Sequence, residues 1–212
     1  MGRLTVRQWQ VALVVGLFSI SLAIFLTINS VWLFSINAHF QHLGKLTGLS
    51  FNQMHQEYLR IINYLENPFK SQIGFKYFRS SKGGLLHFRD VRHLVMFNNL
   101  VFIISIPFVV QCVRWLKRTG LQWLLLSPIK IIVTVSLMIV AMMAVSFDQV
   151  FIWFHEVLFR NEDWIFDPAV DPVINMLPDT LFLQFFLLFF TLFFLVLGGW
   201  YFWAKRAIKK TP

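Results

Sequence analysis

"IIVTVSLMIVAMMAVSFDQVFIWFHEVLF", Ile131 to Phe159, carries no charge before Asp148 and then sets Asp148, His155 and Glu156 among aromatic residues. A helix needs about 20 predominantly apolar residues to cross roughly 30 Å of hydrocarbon, and the reach from Ile131 to about Phe154 supplies them. Three further runs have the same character: Val11–Phe34, Leu94–Leu116 and Leu181–Trp203. Across the 212 residues, 57% are hydrophobic and 14% charged, which is far from a soluble domain. The expectation is an all-α integral membrane protein, one domain over 1–212, with four transmembrane helices at about 11–34, 94–116, 131–154 and 181–203. The first run follows Arg3 and Arg7 but is too long for a signal-peptide core, so it is expected to stay as an anchor.

Charge gives the orientation. Arg3 and Arg7 precede the first run. Arg114, Lys117, Arg118 and Lys130 separate the second from the third, and Lys205, Arg206, Lys209 and Lys210 follow the fourth. The positive-inside rule places these clusters and both termini in the cytoplasm. Segments of about 35–93 and 155–180 then lie outside, and the ten acidic residues fall in them or at outer helix ends. A net charge of +9 therefore suits anionic lipid at the inner face and calls for no nucleic acid. Cys112 is the one cysteine, which excludes a disulfide framework and a CxxC redox pair. No repeat of 20–50 residues occurs.

Within the first external segment, Phe51, Met54, Tyr58, Ile61, Ile62 and Leu65 recur at helical spacing, with Ser50 as a start signal and Asn67-Pro68 as a stop. The pattern predicts an amphipathic helix lying on the outer leaflet. The stretch 69–86 reads equally as a short hairpin or a loop.

Chemistry-bearing residues are few. All six histidines lie on the outer side in this topology, and His39, His42 and His55 read as solvated or headgroup-contacting groups. His87 and His155 stand apart because each sits at the outer end of a membrane helix with a carboxylate in helical reach. Asp90 is three residues after His87, and Asp148 is two turns before His155 on one face. Such carboxylates could orient imidazoles, or the four groups could simply tie helix ends together. Arg89, Arg92, Arg160, Asn161 and Asp163 are the remaining polar candidates nearby.

Metal and nucleophile chemistry fit less well. "HEVLF" begins as the HExxH zinc motif but has Phe159 where the second histidine belongs. His87, His93 and His155 are a conceivable set, although the first two point to different faces of a helix. No cofactor or metal is expected. The chain has no GxSxG elbow, and Cys112 lies among aliphatic residues without a base. Acid–base work by histidine on a substrate already in the lipid remains, beside a non-enzymatic partner-binding or pH-sensing role and a metal-dependent membrane hydrolase.

One pattern is more specific. Phe147, Asp148, Phe151, Phe154, His155 and Glu156 form F-D-x-x-F-x-x-F-H-E, followed by Trp164, Asp167-Pro168, Asp171 and Pro178. Together with "EYLRIINYLENPF" (57–69) and "LLHFRDVRHL" (85–94), it resembles the four-helix bacterial lipoprotein intramolecular transacylase family, Lit, also called lyso-form lipoprotein synthase. The resemblance implies transfer of the sn-2 acyl chain of a diacylglyceryl-cysteine lipoprotein to its own α-amine, at the outer leaflet of the bacterial cytoplasmic membrane. It implies His87 and His155 as the catalytic pair. Asp148, Asp90, Arg89, Glu156, Arg160, Asn161, Trp164, Asp167 and Asp171 are then orienting or substrate-binding residues. The implied partners are the lipoprotein substrate and membrane lipid.

Overall fold

The computed structural model describes residues 2–208, with side chains from Val6 to Ala207. Lys209 and Lys210, counted above among the cytoplasmic bases, lie outside the described residues, as does the side chain of Arg3. Eight α-helices and two short 3-10 turns are formed, with no strand among the described residues. They are α1 (Gly2–Ile28), α2 (Val31–Phe40), α3 (Leu43–Thr47), α4 (Phe51–Glu66), α5 (Lys82–Thr119), α6 (Leu126–Val145), α7 (Phe147–Leu158) and α8 (Asp179–Ile208), with 3-10 turns at Gln122–Leu125 and Pro172–Met176. Four stretches are long and apolar enough to cross a membrane: Val6–Ile28, Lys82–Thr119, Gln122–Val145 and Asp179–Ala207. The protein is a four-span, multi-pass membrane protein.

Two of the expected span ends move. The first span stops at Ile28, and a new helix starts at Val31 after the break at Asn29–Ser30. The third ends at Val145 instead of about Phe154, because Ser146 is extended (φ −156°, ψ 98°) and α7 begins behind it. Ser and Asp compete locally with helical backbone bonds and favour helix starts. Asp148 falls in the first turn of α7, where a negative charge meets the positive end of the helix dipole.

Contacts group the chain into two compact units, one of residues 1–26, 98–145 and 188–212, the other of residues 27–97 and 146–187. The first is the membrane bundle. Val15, Ala23, Leu116, Leu124, Leu125, Phe193 and Leu197 form its core. Inside it Asn98 donates to the Ser21 carbonyl (3.2 Å) and Gln8 to the Leu124 carbonyl (3.1 Å), which satisfies amides that hydrocarbon would leave unpaired. Gly120, at φ 69°, takes the left-handed conformation that closes α5, and the Leu121 N–H returns to the Leu116 carbonyl.

The second unit holds all six histidines and all ten acidic residues. Its α4 starts with a capping box, the Ser50 hydroxyl accepting from the Gln53 N–H while the Gln53 side chain accepts from the Ser50 N–H. Such caps contribute about 1 kcal/mol. The apolar stripe of α4 faces protein rather than a lipid surface: Met54, Tyr58, Ile61, Tyr64 and Leu65 join Phe34, Val173, Met176 and Leu181 in one core. Phe34 and Tyr58 stack there at 4.0 Å. Residues 69–81 form neither helix nor strand, and Gly83 and Gly84 lie in the first turn of α5. Helix α5 has 38 residues, about 57 Å of rise against roughly 30 Å of hydrocarbon. Its charged first turns, Lys82–His93, therefore stand outside the crossing part, Leu94–Leu116.

Candidate active site

His87 and His155 come together in the second unit, from the start of α5 and the last turn of α7. Their ring centroids are 5.8 Å apart. The walls are aromatic. Phe159 and Phe166 meet His87 edge-on at 4.9 and 5.5 Å, while Phe151 and Trp164 lie over His155 at 4.1 and 4.8 Å. Among these rings His155 is buried and His87 half-buried.

The tautomer of His155 follows from its one hydrogen bond. Nδ1 lies 2.8 Å from the carbonyl oxygen of Phe151, one turn earlier on α7. A carbonyl only accepts, so Nδ1 carries the proton and Nε2 keeps its lone pair in the neutral ring. Burial lowers the pKa of His155 from its ordinary value, opposed by this same bond, which favours the charged ring. His87 is lowered further, to about 4, by burial first and then by the neighbouring His155, with Asp90 pulling the other way. At neutral pH both rings are neutral. His87 Nδ1 is buried without a hydrogen-bond partner, an arrangement that costs stability and that functional sites tolerate.

The expected carboxylate partners are placed differently. Asp148 is exposed at the start of α7 and has no hydrogen bond or ion pair to His155 among the described residues; the backbone of Phe151 occupies the position an orienting carboxylate would have taken. Asp90 accepts from the Asn161 side chain at 3.0 Å and acts on His87 through its charge. Asn161 ties the site together, since its carbonyl also accepts from the Trp164 indole at 2.9 Å and its side-chain oxygen from the Asp163 N–H at 3.1 Å. It thus fixes Trp164 against His155.

Asp171 is a buried anchor, 4% exposed. One of its oxygens accepts from the Ser80 hydroxyl (2.8 Å) and the Ser81 N–H (2.6 Å). Burial pulls its pKa up, and the bonds from Ser81 and Ser80 overcome that pull and leave it below the ordinary carboxylate value. The approach depends on Gly84, where an added Cβ would fall 2.5 Å from the Asp171 oxygen. The segment after α7 is thereby fastened to the start of α5, one turn and a half before His87. Asp167 shapes the same segment, accepting from the Ala169 N–H at 2.8 Å. Glu156 and Arg160 are exposed. Arg89 lines a cavity on another face of α5 whose lining includes neither imidazole.

Phe151, Phe159, Phe166, Ser80 and Ser81 were not singled out as site residues from the sequence. Phe151 lies one helical turn before a histidine, a spacing that permits a ring-to-carbonyl bond, and this was the available signal. The pairing of Ser80 and Ser81 with Asp171, 90 residues away, leaves no local trace.

The fold is that of an all-α, four-span membrane protein in which two histidines are brought together in an aromatic pocket. The family model described as lipoprotein intramolecular transacylase Lit matches residues 10–186, and the chain belongs to that family. Among solved structures, the membrane integral lipoprotein intramolecular transacylase Lit from Bacillus cereus superposes with a TM-score of 0.92 at 22% identity, covering 99% of this chain and 98% of that one. Two variants of the Bacillus cereus protein, with a histidine replaced by arginine or by alanine, give TM-scores of 0.77 and 0.79 at 24% and 25% identity, each over 96% of this chain and over 93% and 94% of theirs. Comparison with curated proteins finds no match. The protein is a lipoprotein intramolecular transacylase, an acyltransferase that acts on lipoproteins in a membrane.

Proposed function

We propose that His155 and His87 carry out the transfer by acid–base catalysis, moving the sn-2 acyl chain of a diacylglyceryl-modified lipoprotein to the α-amine of its N-terminal cysteine. The observation that supports this most directly is the hydrogen bond from His155 Nδ1 to the Phe151 carbonyl, 2.8 Å long, which leaves Nε2 free as a base 5.8 Å, ring to ring, from His87.

The neutral α-amine attacks the ester carbonyl carbon. Counting nitrogen, Cα, Cβ, sulfur, two glycerol carbons, the ester oxygen and the carbonyl carbon gives an eight-membered ring, so donor and acceptor are one molecule. Closing that ring in a fixed pose can gain effective molarities of roughly 10⁵–10⁸ M, and no covalent enzyme intermediate is required. As the C–N bond forms, the attacking nitrogen becomes far more acidic than a free ammonium, so a weakly basic Nε2 can take its proton. The C–O bond then breaks and the same proton passes to the departing glycerol oxygen, leaving an amide and a free hydroxyl. General acid–base help of this kind is typically worth about 10²–10⁴ in rate. His87, whose Nδ1 has no protein partner, is positioned to bond the carbonyl oxygen as it gains charge or to relay the proton. Trp164, Asn161 and Asp90 hold the pair, and Asp171 and Asp167 hold the segment that carries Trp164. No metal takes part in the proposed steps.

This reading places the reaction at the outer leaflet of the bacterial cytoplasmic membrane with both termini inside, as the distribution of bases suggests. Purified protein incubated with a synthetic diacylglyceryl lipopeptide tests it by mass spectrometry. Transfer leaves the mass unchanged and blocks the amine. Loss of a fatty acid with gain of water would make the protein a hydrolase, and an unaltered peptide would leave it a binding protein. Activity is expected to survive strong chelators; loss on chelation with recovery on added zinc would overturn the metal-free mechanism.

A further inference from the structure

A cavity of about 670 Å³ lies in the second unit, on a different face of α5 from the histidine pair. From α5 it is lined by Lys82, Leu85, Leu86 and Arg89, spaced i, i+3, i+4 and i+7 on one helical face. The loop 71–78 supplies the facing wall, including Ile73 and Phe75. Volume and lining, mostly apolar with a few polar groups, fall in the range of small-molecule sites.

The wall is fixed before any ligand arrives. The fully buried Glu57 accepts from the N–H groups of Lys76 (2.8 Å) and Tyr77 (3.0 Å) through one oxygen. Arg60 donates to the Gly74 carbonyl at 3.4 Å, and Gly74 sits at φ 63°, a conformation that favours glycine. The loop therefore has its own buried support.

Charge and exposure indicate the ligand. From Asn67 to Arg89 the chain has Lys70, Lys76, Arg79, Lys82 and Arg89 and no acidic residue, and no acidic side chain lines the cavity. Arg79 is engaged by the Ala169 carbonyl, and Arg92 by the Asn67 and Pro68 carbonyls and the Tyr64 ring. Lys82 and Arg89 make no hydrogen bond or ion pair among the described residues, and both are exposed. Between them Leu85 is 45% exposed, and Phe69, before the loop, is 93% exposed. Arg89 lies five residues before Leu94, about 8 Å along the helix, which is headgroup depth. A soluble anion would satisfy the cations and leave the leucines wet. A phosphodiester carrying acyl chains satisfies both.

We propose that this cavity binds an anionic phospholipid of the surrounding leaflet, its phosphate on Lys82 and Arg89 and its glycerol–acyl junction along Leu85, Leu86 and Phe75. The site is separate from the imidazole pair and does not depend on the transacylation mechanism. The test uses the full-length protein in phosphatidylcholine nanodiscs containing phosphatidylglycerol, with lipid retained on the protein read by native mass spectrometry. Phosphatidylglycerol is expected to be retained in preference to phosphatidylcholine. The pair Lys82→Gln with Arg89→Gln should weaken retention by about fivefold per base removed. Leu85→Trp, which fills the cavity without changing charge, should weaken it too. Lys70→Gln with Lys76→Gln, bases outside the lining, should leave it near the starting level. Equal loss from both glutamine pairs would reduce the effect to diffuse electrostatics and overturn the site, as would full retention by the Leu85 variant. Displacement of the lipid by inorganic phosphate would assign the cavity to the free anion and overturn the lipid reading.

Discussion

The two units of this chain divide its ionisable groups sharply. Residues 1–26, 98–145 and 188–212 hold ten bases, no acid and no histidine, whereas 27–97 and 146–187 hold nine bases, all ten acids and all six histidines. The first unit needs only apolar length and a basic fringe, and many of its large side chains, such as Leu13, Ile103, Met138 and Leu195, are exposed in the protein alone because lipid is their solvent. The second builds an ordinary protein core around Phe34, Tyr58 and Met176 and sets polar groups against it. The acids and histidines are confined to one unit, in keeping with the several kcal/mol that a charged group deep in hydrocarbon costs.

The largest expected effect breaks the second unit's chemistry and leaves its core intact. His155→Ala and His87→Ala should each lower lipopeptide transfer by about 10²–10⁴, a barrier increase of roughly 3–5 kcal/mol. Rates must be compared at equal amounts of folded protein, because His155 is buried and its removal also lightens packing. Undiminished transfer by either folded variant would remove that histidine from the mechanism.

The same contrast explains what the sequence disclosed. Four spans are visible from apolar length alone, because hydropathy is a sum and tolerates errors at single positions. Their ends are less visible: the breaks at Asn29–Ser30 and at Ser146 interrupt the helix within runs that stay largely apolar on both sides. The α4 stripe correctly gives a helix, yet periodicity cannot say whether protein or lipid covers the stripe. In the candidate site, His87 and His155 stand out in the sequence because an imidazole beside a carboxylate at a helix end is a side-chain pattern, and the structure brings their rings to 5.8 Å. Their actual supports are a main-chain carbonyl, the rings of Phe159 and Phe166, and Asn161 reaching Asp90 across 71 residues, and backbone acceptors and long-range packing leave no local mark.

A second prediction probes the fastening between segments. Asp171→Ala leaves the Ser81 N–H and Ser80 hydroxyl without their acceptor and should cost about 2–3 kcal/mol of stability, since buried bonds to a charged group are worth roughly that much. Thermal unfolding in detergent measures it. A folded carboxyl below its ordinary pKa stabilises the fold above that ordinary value and loses its contribution as pH falls through the folded one. The difference between wild type and variant should therefore be full at neutral pH and shrink in strong acid. A constant gap down to acid would show that the carboxylate charge is not what holds α5 in place.

The pH profile is expected to be smaller in amplitude and different in cause. His87 is pushed down to about 4 and His155 is lowered as well, so both stay neutral near pH 7 and above. The substrate α-amine, near 7.7–8 when free, must lose its proton before attack. Transfer should rise about 15- to 25-fold between pH 6.5 and 8.5 and then level off, following the amine's free-base fraction. Replacing the lipopeptide amine by one of lower pKa should move the rise to lower pH by the same interval. A rise that stays fixed as the amine is changed would assign it to an enzyme group and contradict the neutral pair.

The smallest effect separates two accounts of how His155 is aimed. If a side-chain carboxylate oriented it, Asp148→Asn would disturb the tautomer, as loss of an orienting acid does in other histidine sites, at a cost of tenfold or more. Here Nδ1 already donates to the Phe151 carbonyl at 2.8 Å, and Asp148 is exposed in the first turn of α7. Its charge there stabilises the helix end by roughly 0.3–1 kcal/mol, which an asparagine partly keeps as a good helix-start residue. Transfer by Asp148→Asn should therefore stay within about threefold of wild type, with any loss appearing in stability before it appears in rate. The informative companion is Phe151→Pro. Its own carbonyl remains, but the ring constrains the α7 backbone and removes the Phe151 N–H, so the aim of Nδ1 should suffer more than from any change at Asp148. Equal activity of that variant, or a large loss at Asp148→Asn in folded protein, would return the orienting role to the carboxylate.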